Sequence, residues 1–200
     1  MVAEMTGDGV DCRLVGDFFN RRGQLVQKDR LHFAAKADLS GDRPTIDAAL
    51  TPARGPWTDI TYPERDALLY HGPPLRLLRR LAAEGNDAWG QIELPGENEL
   101  AGNRDKAGWL IPSAAIDACL YACGVYTWVL AAGGVTVPES LSEIRFGRPG
   151  RPLEHCTVHV LCREMTEKLG RLDFTLFGDD GSPIFEAKGY RCHVLRGGTP

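Results

Sequence analysis

Two hundred residues, a net charge of −4 and ordinary shares of apolar and charged side chains predict a globular protein of one domain or two small ones. This charge provides no basic surface of the kind that nucleic acids bind, so no nucleic-acid partner is expected. No apolar run is judged long enough to span a bilayer, and the first twelve residues lack the basic and apolar regions of a secretory signal. The composition therefore predicts a cytoplasmic protein without a membrane partner.

The six cysteines lie inside apolar segments rather than at the spacings of a disulfide framework. The chain contains no Cys-x-x-Cys pair. Cys119 and Cys123 are four residues apart, but no further cysteines or histidines accompany them at metal-ligand spacing. The cysteines are therefore expected to be buried free thiols in a reducing compartment, and neither a metal nor another cofactor is expected.

The first elements of the chain are predicted to be strands, over residues 10–39. The sequence VDCRLVGDFF is followed by a polar turn, NRRG, and then by a segment in which apolar and polar residues alternate up to Leu39. From Ser40 to Pro63 prolines recur with little periodicity. This second stretch indicates a connection between two units rather than an element of its own.

Residues 75–94 permit two interpretations. Leu77, Leu78 and Leu81 have a spacing that a helix could use. The sequence EGND, however, is typical of a turn, and apolar residues alternate with polar ones on its far side. A β-hairpin that turns at Glu84–Asp87 is therefore predicted in preference to a helix.

The most apolar segment, Ile111–Ala132, is predicted to form one helix, with Pro112 in its first turn and two glycines after its end. Because apolar residues lie nearly all round this helix, it is expected to be enclosed by sheet on most sides. Three or four antiparallel strands are predicted after it, with a hairpin turn at GDDGSP. This order of elements predicts an α+β fold in which an antiparallel sheet wraps around one long helix.

Asp117 is the single acid between Ile111 and Leu130, and two explanations fit it. An apolar pocket disfavours the charged carboxyl and raises its pKa, which would let it donate a proton near neutral pH. A carboxylate near the start of a helix is also stabilised by backbone N–H groups and by the helix dipole. Composition alone favours the second, structural explanation.

Three segments, taken in order, resemble the dehydratase domains of polyketide synthases. LLYHGPPLRLLRRL is similar to the Tyr/His-Gly-Pro-x-Phe-Gln segment that opens the second repeat of those domains. IPSAAIDACLYACG resembles the segment in which an aspartate begins the central helix and is followed four residues later by Gln or His. RLDFTLFGDDGSPIFEAKGYRCHVL is similar to their closing strand–turn–strand. The resemblance implies a hot-dog fold, with a partial first repeat and linker at 1–60 and the second repeat at 61–200.

The resemblance also implies an activity, in which water is eliminated from a 3-hydroxyacyl chain on the phosphopantetheine arm of an acyl carrier protein. A histidine removes the α-proton, and the aspartate, here Asp117, protonates the departing hydroxyl. Tyr121 stands where Gln or His orients the acid, and His71, Gly72 and Pro73 are expected to line the substrate pocket. The implied partners are the acyl carrier protein and the other domains of a synthase, and a homodimer is a further option.

The sequence also departs from the family pattern at positions that bear on catalysis. None of the five histidines stands in the His-x-x-x-Gly-x-x-x-x-Pro motif that carries the family's base, and Leu75-Arg76 replaces Phe-Gln. A dehydratase-like lyase is therefore expected whose catalytic aspartate is present and whose histidine-bearing half is absent, so that the isolated chain is inactive or weak. Two alternatives stay open: a non-catalytic pseudo-dehydratase that binds an acyl chain or mediates assembly and, ranked lower, a hot-dog thioesterase.

Overall fold

The chain folds into two compact units, Met1–Arg43 and Pro44–Pro200. The computed structural model describes residues 2–41, 45–64, 70–96, 113–131 and 133–195. The boundary between the units therefore falls well before residue 61, where the resemblance to the dehydratases begins.

The first unit is a three-stranded antiparallel sheet made of β1 (Val2–Thr6), β2 (Gly9–Phe19) and β3 (Leu25–Asp38). The strands predicted between residues 10 and 39 are confirmed. At the turn between β2 and β3, the side-chain carbonyl of Asn20 accepts hydrogen bonds from the backbone N–H of Arg22 and of Gln24. The short β1 was missed, because its five residues give too little alternation to reveal a strand.

Within its described residues, the second unit has one α-helix and an eight-stranded antiparallel sheet with the strand order β4-β5-β6-β9-β10-β11-β7, in which β8 also pairs with β11. The α+β fold class is confirmed by this arrangement. The elements are β4 (Thr58–Asp59), β5 (Leu78–Glu84), β6 (Asp87–Glu93), α1 (Ser113–Leu130), β7 (Val135–Ser140), β8 (Glu143–Phe146), β9 (His155–Met165), β10 (Leu169–Phe177) and β11 (Pro183–Leu195).

The hairpin predicted within residues 75–94 is confirmed. Strands β5 and β6 pair down to Glu84 opposite Asp87, and Gly85 in the turn has φ +59°, a conformation that glycine adopts readily. The hydroxyl of Tyr126 donates a hydrogen bond of 2.7 Å to the carbonyl of Gly85. This bond ties the turn of the hairpin to the central helix.

The helix α1 packs its small side chains against the sheet. Gly90 of β6 faces this side, since a Cβ added there would lie 3.6 Å from the Cβ of Ala122. Ile111, Pro112 and Ala132 of the predicted helix lie outside the described residues. The buried residues of α1 are Ala114, Ala115, Ala118, Cys119, Ala122, Cys123, Tyr126 and Thr127.

The last turn of α1 is less covered than expected. Trp128, Val129 and Leu130 are exposed, whereas every residue from Ala114 to Thr127 is buried or half-buried, so the helix is open to solvent at this last turn. The sheet approaches the side rich in alanine and cysteine, because small side chains permit close packing. By length and composition α1 is long enough to cross a bilayer, so the expectation that no apolar run has this length was wrong. The core helix of a globular protein meets the same criteria.

Five strands follow α1, where three or four were predicted. The additional strand, β7, contains Pro138 and lies at the edge of the sheet, the place where a strand tolerates a proline. The hairpin turn at GDDGSP is confirmed, with a backbone hydrogen bond of 2.9 Å from Gly178 N–H to the carbonyl of Ser182. All six cysteines are free thiols, of which five are buried and Cys12 is half-buried.

The proline-rich connection belongs to the second unit. Its residues Thr58 and Asp59 pair with β5, and Gly55 lies so close to this strand that an added Cβ would stand 2.6 Å from the carbonyl oxygen of Ala83. Farther along, the hydroxyl of Tyr62 both accepts a hydrogen bond from the Leu78 N–H and donates one to the Leu78 carbonyl. The connection thereby brings Tyr62 to the start of β5, beside the central helix.

Candidate acid site on the central helix

Asp117 lies beyond the first turn of α1 as that helix is described, and no acid occupies the first turn. Its side chain is 40% exposed, but its Oδ2 atom is buried and accepts no hydrogen bond within the described part of the chain. The nearby Nε2 atom of His71 lies 3.5 Å from that oxygen. The carboxyl is therefore half-buried with its inner oxygen turned toward an imidazole, rather than bound by the N–H groups of a helix terminus.

The surroundings of Asp117 act on its pKa in opposite directions. Burial raises the pKa, because a low-polarity environment disfavours the carboxylate form. The imidazole of His71 acts against this, and burial is the larger effect, so the pKa of Asp117 is raised. A carboxyl with a raised pKa keeps its proton closer to neutral pH and can give it to a leaving group.

His71 is placed by the segment that leads into β5. Pro73–Leu75 forms one turn of 3-10 helix directly after Gly72, and the Nε of Arg76 donates a 2.9 Å hydrogen bond to the carbonyl of His71. Gly72 itself has an extended backbone, and an added Cβ would meet only the Cδ of Pro74, at 4.0 Å. The described residues around Gly72 therefore leave room for a side chain and do not require glycine at this position.

Three aromatic rings pack together beside Asp117. The ring centroid of Tyr121 lies 4.3 Å from that of His71 and 4.8 Å from that of Tyr62, and the two tyrosine rings stack at 12°. Burial raises the pKa of both tyrosines, so both hydroxyls are neutral at physiological pH. Sequence reasoning missed Tyr62, because a single tyrosine in an aperiodic connection carries no signal of its partners.

Tyr121 does not have the contact expected of it. Its hydroxyl forms no hydrogen bond with Asp117 among the described residues, and its ring packs against His71 and Tyr62 instead. Arg76, which replaces a glutamine of the family pattern, lies with its guanidinium carbon 5.8 Å from the ring centroid of Tyr62. The site is therefore an aromatic cluster with one carboxyl, one imidazole and one neighbouring guanidinium.

Two other groups of polar side chains have structural partners. His159, four residues after His155 on β9, lies 2.7 Å from the Oδ1 of Asp87 and stacks on Trp89 with a centroid separation of 5.3 Å. The described carboxylates close enough together to hold a cation are those of Glu154, Asp179 and Asp180. The side chains of Arg148 and Arg151 already form ion pairs with all three of these carboxylates.

An antiparallel sheet packed on one helix, with a half-buried carboxyl in that helix, is consistent with the hot-dog fold of a dehydratase domain. The family model described as the polyketide synthase dehydratase N-terminal domain matches residues 61–200. The chain belongs to the polyketide synthase dehydratase family. The assignment of these residues to the second hot-dog repeat stays a prediction. A comparison with curated proteins found no significant match.

Solved dehydratase domains have the same fold. The dehydratase domain of RzxB from Pseudomonas fluorescens is 18% identical with a TM-score of 0.63, over 95% of this chain and 66% of that one. The dehydratase domain from the CurJ module of the curacin polyketide synthase is 11% identical with a TM-score of 0.65, over 96% and 66%. GphF dehydratase 1 is 20% identical with a TM-score of 0.57, over 81% and 56%. The chain thus spans 56% to 66% of the length of these three relatives.

Proposed function

We propose that the protein is the greater part of a dehydratase domain that eliminates water from 3-hydroxyacyl chains carried on an acyl carrier protein in the cytoplasm. Asp117 is the acid that protonates the departing β-hydroxyl. A histidine of the first repeat, outside these 200 residues, takes the α-proton, and the electrons of that C–H bond form the new double bond as the C–O bond breaks. Tyr121, His71, Gly72 and Pro73 flank the acyl chain, and no cofactor takes part.

One observation carries this proposal: the inner oxygen of Asp117 is buried and accepts no hydrogen bond within the described part of the chain. A structural carboxylate would be held by donors, because an ionised group that loses water without gaining hydrogen bonds is costly. A carboxyl that must release its proton needs few such donors, since each donor stabilises the ionised form and lowers the pKa. Asp117 meets that second requirement on the helix where the family resemblance locates the acid.

The first unit supports the idea that further polypeptide completes the domain. Leu14 and Phe33 are opposite each other on β2 and β3, and both are exposed. A three-stranded sheet needs an apolar face buried against another layer to be stable. We propose that the remainder of the first repeat, with its histidine, covers this face, and that residues 1–60 are the last strands of that repeat and the linker.

A non-catalytic acyl-binding module is the second candidate, and the position of Tyr121 favours it. In this chain the residue four positions after the acid packs as an aromatic ring and leaves the carboxyl without the expected orienting hydroxyl. A domain that had lost catalysis would tolerate such a replacement. The same aromatic cluster would still offer an apolar wall to an acyl chain.

The reaction type can be tested with a 3-hydroxyacyl chain on a carrier protein and mass spectrometry of the products. We expect the chain completed with its histidine-bearing half to yield the enoyl thioester, with loss of one water, and the 200-residue chain alone to yield little. Release of the free hydroxy acid would identify a thioesterase instead. Binding of the acyl carrier without any product from the completed domain would identify a non-catalytic module.

A further inference from the structure

The Asp117 carboxyl faces an imidazole from a distant part of the sequence. His71 Nε2 lies 3.5 Å from its inner oxygen, whereas the Tyr121 hydroxyl makes no hydrogen bond with it within the described part of the chain. We propose that His71 is the positioning residue of Asp117, in the role that the resemblance assigns to Tyr121, and that it returns a proton to the carboxyl between turnovers. This inference rests on the proposed function.

The position of the imidazole is fixed from two sides. On its backbone side, Arg76 binds the His71 carbonyl at 2.9 Å, next to the 3-10 turn Pro73–Leu75. On its ring side, the centroids of Tyr121 and Tyr62 lie 4.3 Å and 6.0 Å away. A side chain held in this way can orient a neighbouring carboxyl without first losing much rotational freedom.

The proton transfer balances in two steps. When Asp117 Oδ2 gives its proton to the departing hydroxyl, water leaves and the carboxylate remains. The Nε2–H of His71 then gives its proton to Oδ2, while Nδ1 of the same ring takes up a proton from solvent. Solvent reaches the His71 side chain, which is 16% exposed, and the base that removed the α-proton releases one proton to solvent.

The other titratable groups that the structure describes beside Asp117 keep one charge state near neutral pH. Burial raises the pKa of Tyr62, Tyr121 and Cys119, so these three groups are uncharged there. Arg76 is permanently cationic. These described neighbours therefore add no pH-dependent charge beside Asp117 near neutral pH.

The 200-residue chain, selectively labelled with ¹³C in its aspartate carboxyls, allows a test that does not depend on activity. The pKa of Asp117 is measured by NMR titration in the wild type, in His71→Gln and in Tyr121→Phe, with His71→Asn as the alternative if the first variant does not fold. Because His71 lowers the pKa of Asp117, we expect His71→Gln to raise the pKa of Asp117. Tyr121→Phe should leave it unchanged.

An unchanged Asp117 pKa in both His71 variants would overturn the inference, as would a shift produced by Tyr121→Phe alone. In the completed domain, His71→Gln should lower kcat about tenfold with little change in KM, since the Asp117 acid itself remains. It should also move the alkaline limb of the pH–rate profile to higher pH. If Asp117→Asn has full activity, the proposed function fails; if only the His71 variants behave as wild type, the positioning role fails.

Discussion

The rings of Tyr62 and Tyr121 stack at 12° with their centroids 4.8 Å apart, across 59 residues of sequence. This contact joins the connection before β5 to the central helix, and the Tyr121 ring also packs against His71. Tyr121, which was expected to bind the carboxyl of Asp117, is therefore part of an aromatic cluster instead. The acid is left facing the imidazole.

Removing the Tyr62 hydroxyl should destabilise the second unit. In Tyr62→Phe, the backbone N–H and carbonyl of Leu78, a fully buried residue, each lose a hydrogen-bond partner. We expect the free energy of unfolding to fall by about 1–3 kcal/mol. Chemical denaturation of Tyr62→Phe and of the control Tyr70→Phe, whose ring is exposed, measures the effect. Equal stabilities would show that the hydrogen bonds to Leu78 contribute nothing.

Glu154 should make the fold sensitive to acid. Its side chain is 1% exposed and binds Arg148 and Arg151, and hydrogen bonds from Arg148 above all hold the pKa of this carboxyl well below its usual range. A lowered pKa contributes stability above the unfolded value of about 4.3, and that stability is lost as the pH falls toward the folded value. Glu154→Gln should therefore cost about 3 kcal/mol at pH 7 and a smaller amount at pH 3, where part of this stability is already lost.

Denaturant unfolding at the two pH values measures this difference. The matched control is Glu143→Gln, which removes an exposed carboxylate paired with Arg145 and should change stability little at either pH. A penalty for Glu154→Gln that is the same at pH 3 and pH 7 would contradict the assignment of the acid sensitivity to this carboxyl.

Two glycines should respond in opposite directions to the same substitution. A Cβ on Gly90 would lie 2.8 Å from both the Leu78 Cδ1 and the Val158 Cγ1, so Gly90→Ala should cost about 1–3 kcal/mol through overpacking. A Cβ on Gly124, within α1, would meet only the Oγ1 of Thr136, at 3.9 Å. Gly124→Ala should therefore stabilise the protein by up to about 1 kcal/mol, because alanine favours helix. Thermal unfolding of both variants gives the signs, and equal signs would contradict the packing described here.

The elements that sequence predicted well are those with local signals. The turn Glu84–Asp87 was found because glycine and asparagine mark it, and α1 because nearly all its residues are apolar. The acid Asp117 was singled out because it interrupts that apolar run. Each of these signals lies within a few residues of the feature that it predicts.

The features that sequence missed depend on distant partners. Strand β7 is stabilised by pairing with β11, and its proline makes the local sequence look unlike a strand. Tyr62 reaches the site through its hydrogen bonds to Leu78, and His71 meets Asp117 across 46 residues. Contacts between residues far apart in sequence leave no periodic pattern. The sequence therefore suggested that His71 lines the substrate pocket, but it could not show that His71 lies next to Asp117.

The most direct test of the acid role is the rate of enoyl formation by the completed domain carrying Asp117→Asn, with Asp59→Asn as the control at an exposed aspartate paired with Arg80. Asparagine preserves the shape of the side chain and has no proton to give to the leaving hydroxyl. We expect Asp117→Asn to lower kcat by about 10²–10⁴-fold and Asp59→Asn to retain the wild-type rate. An Asp117→Asn domain that forms the enoyl product at the wild-type rate would contradict the assignment of Asp117 as the acid.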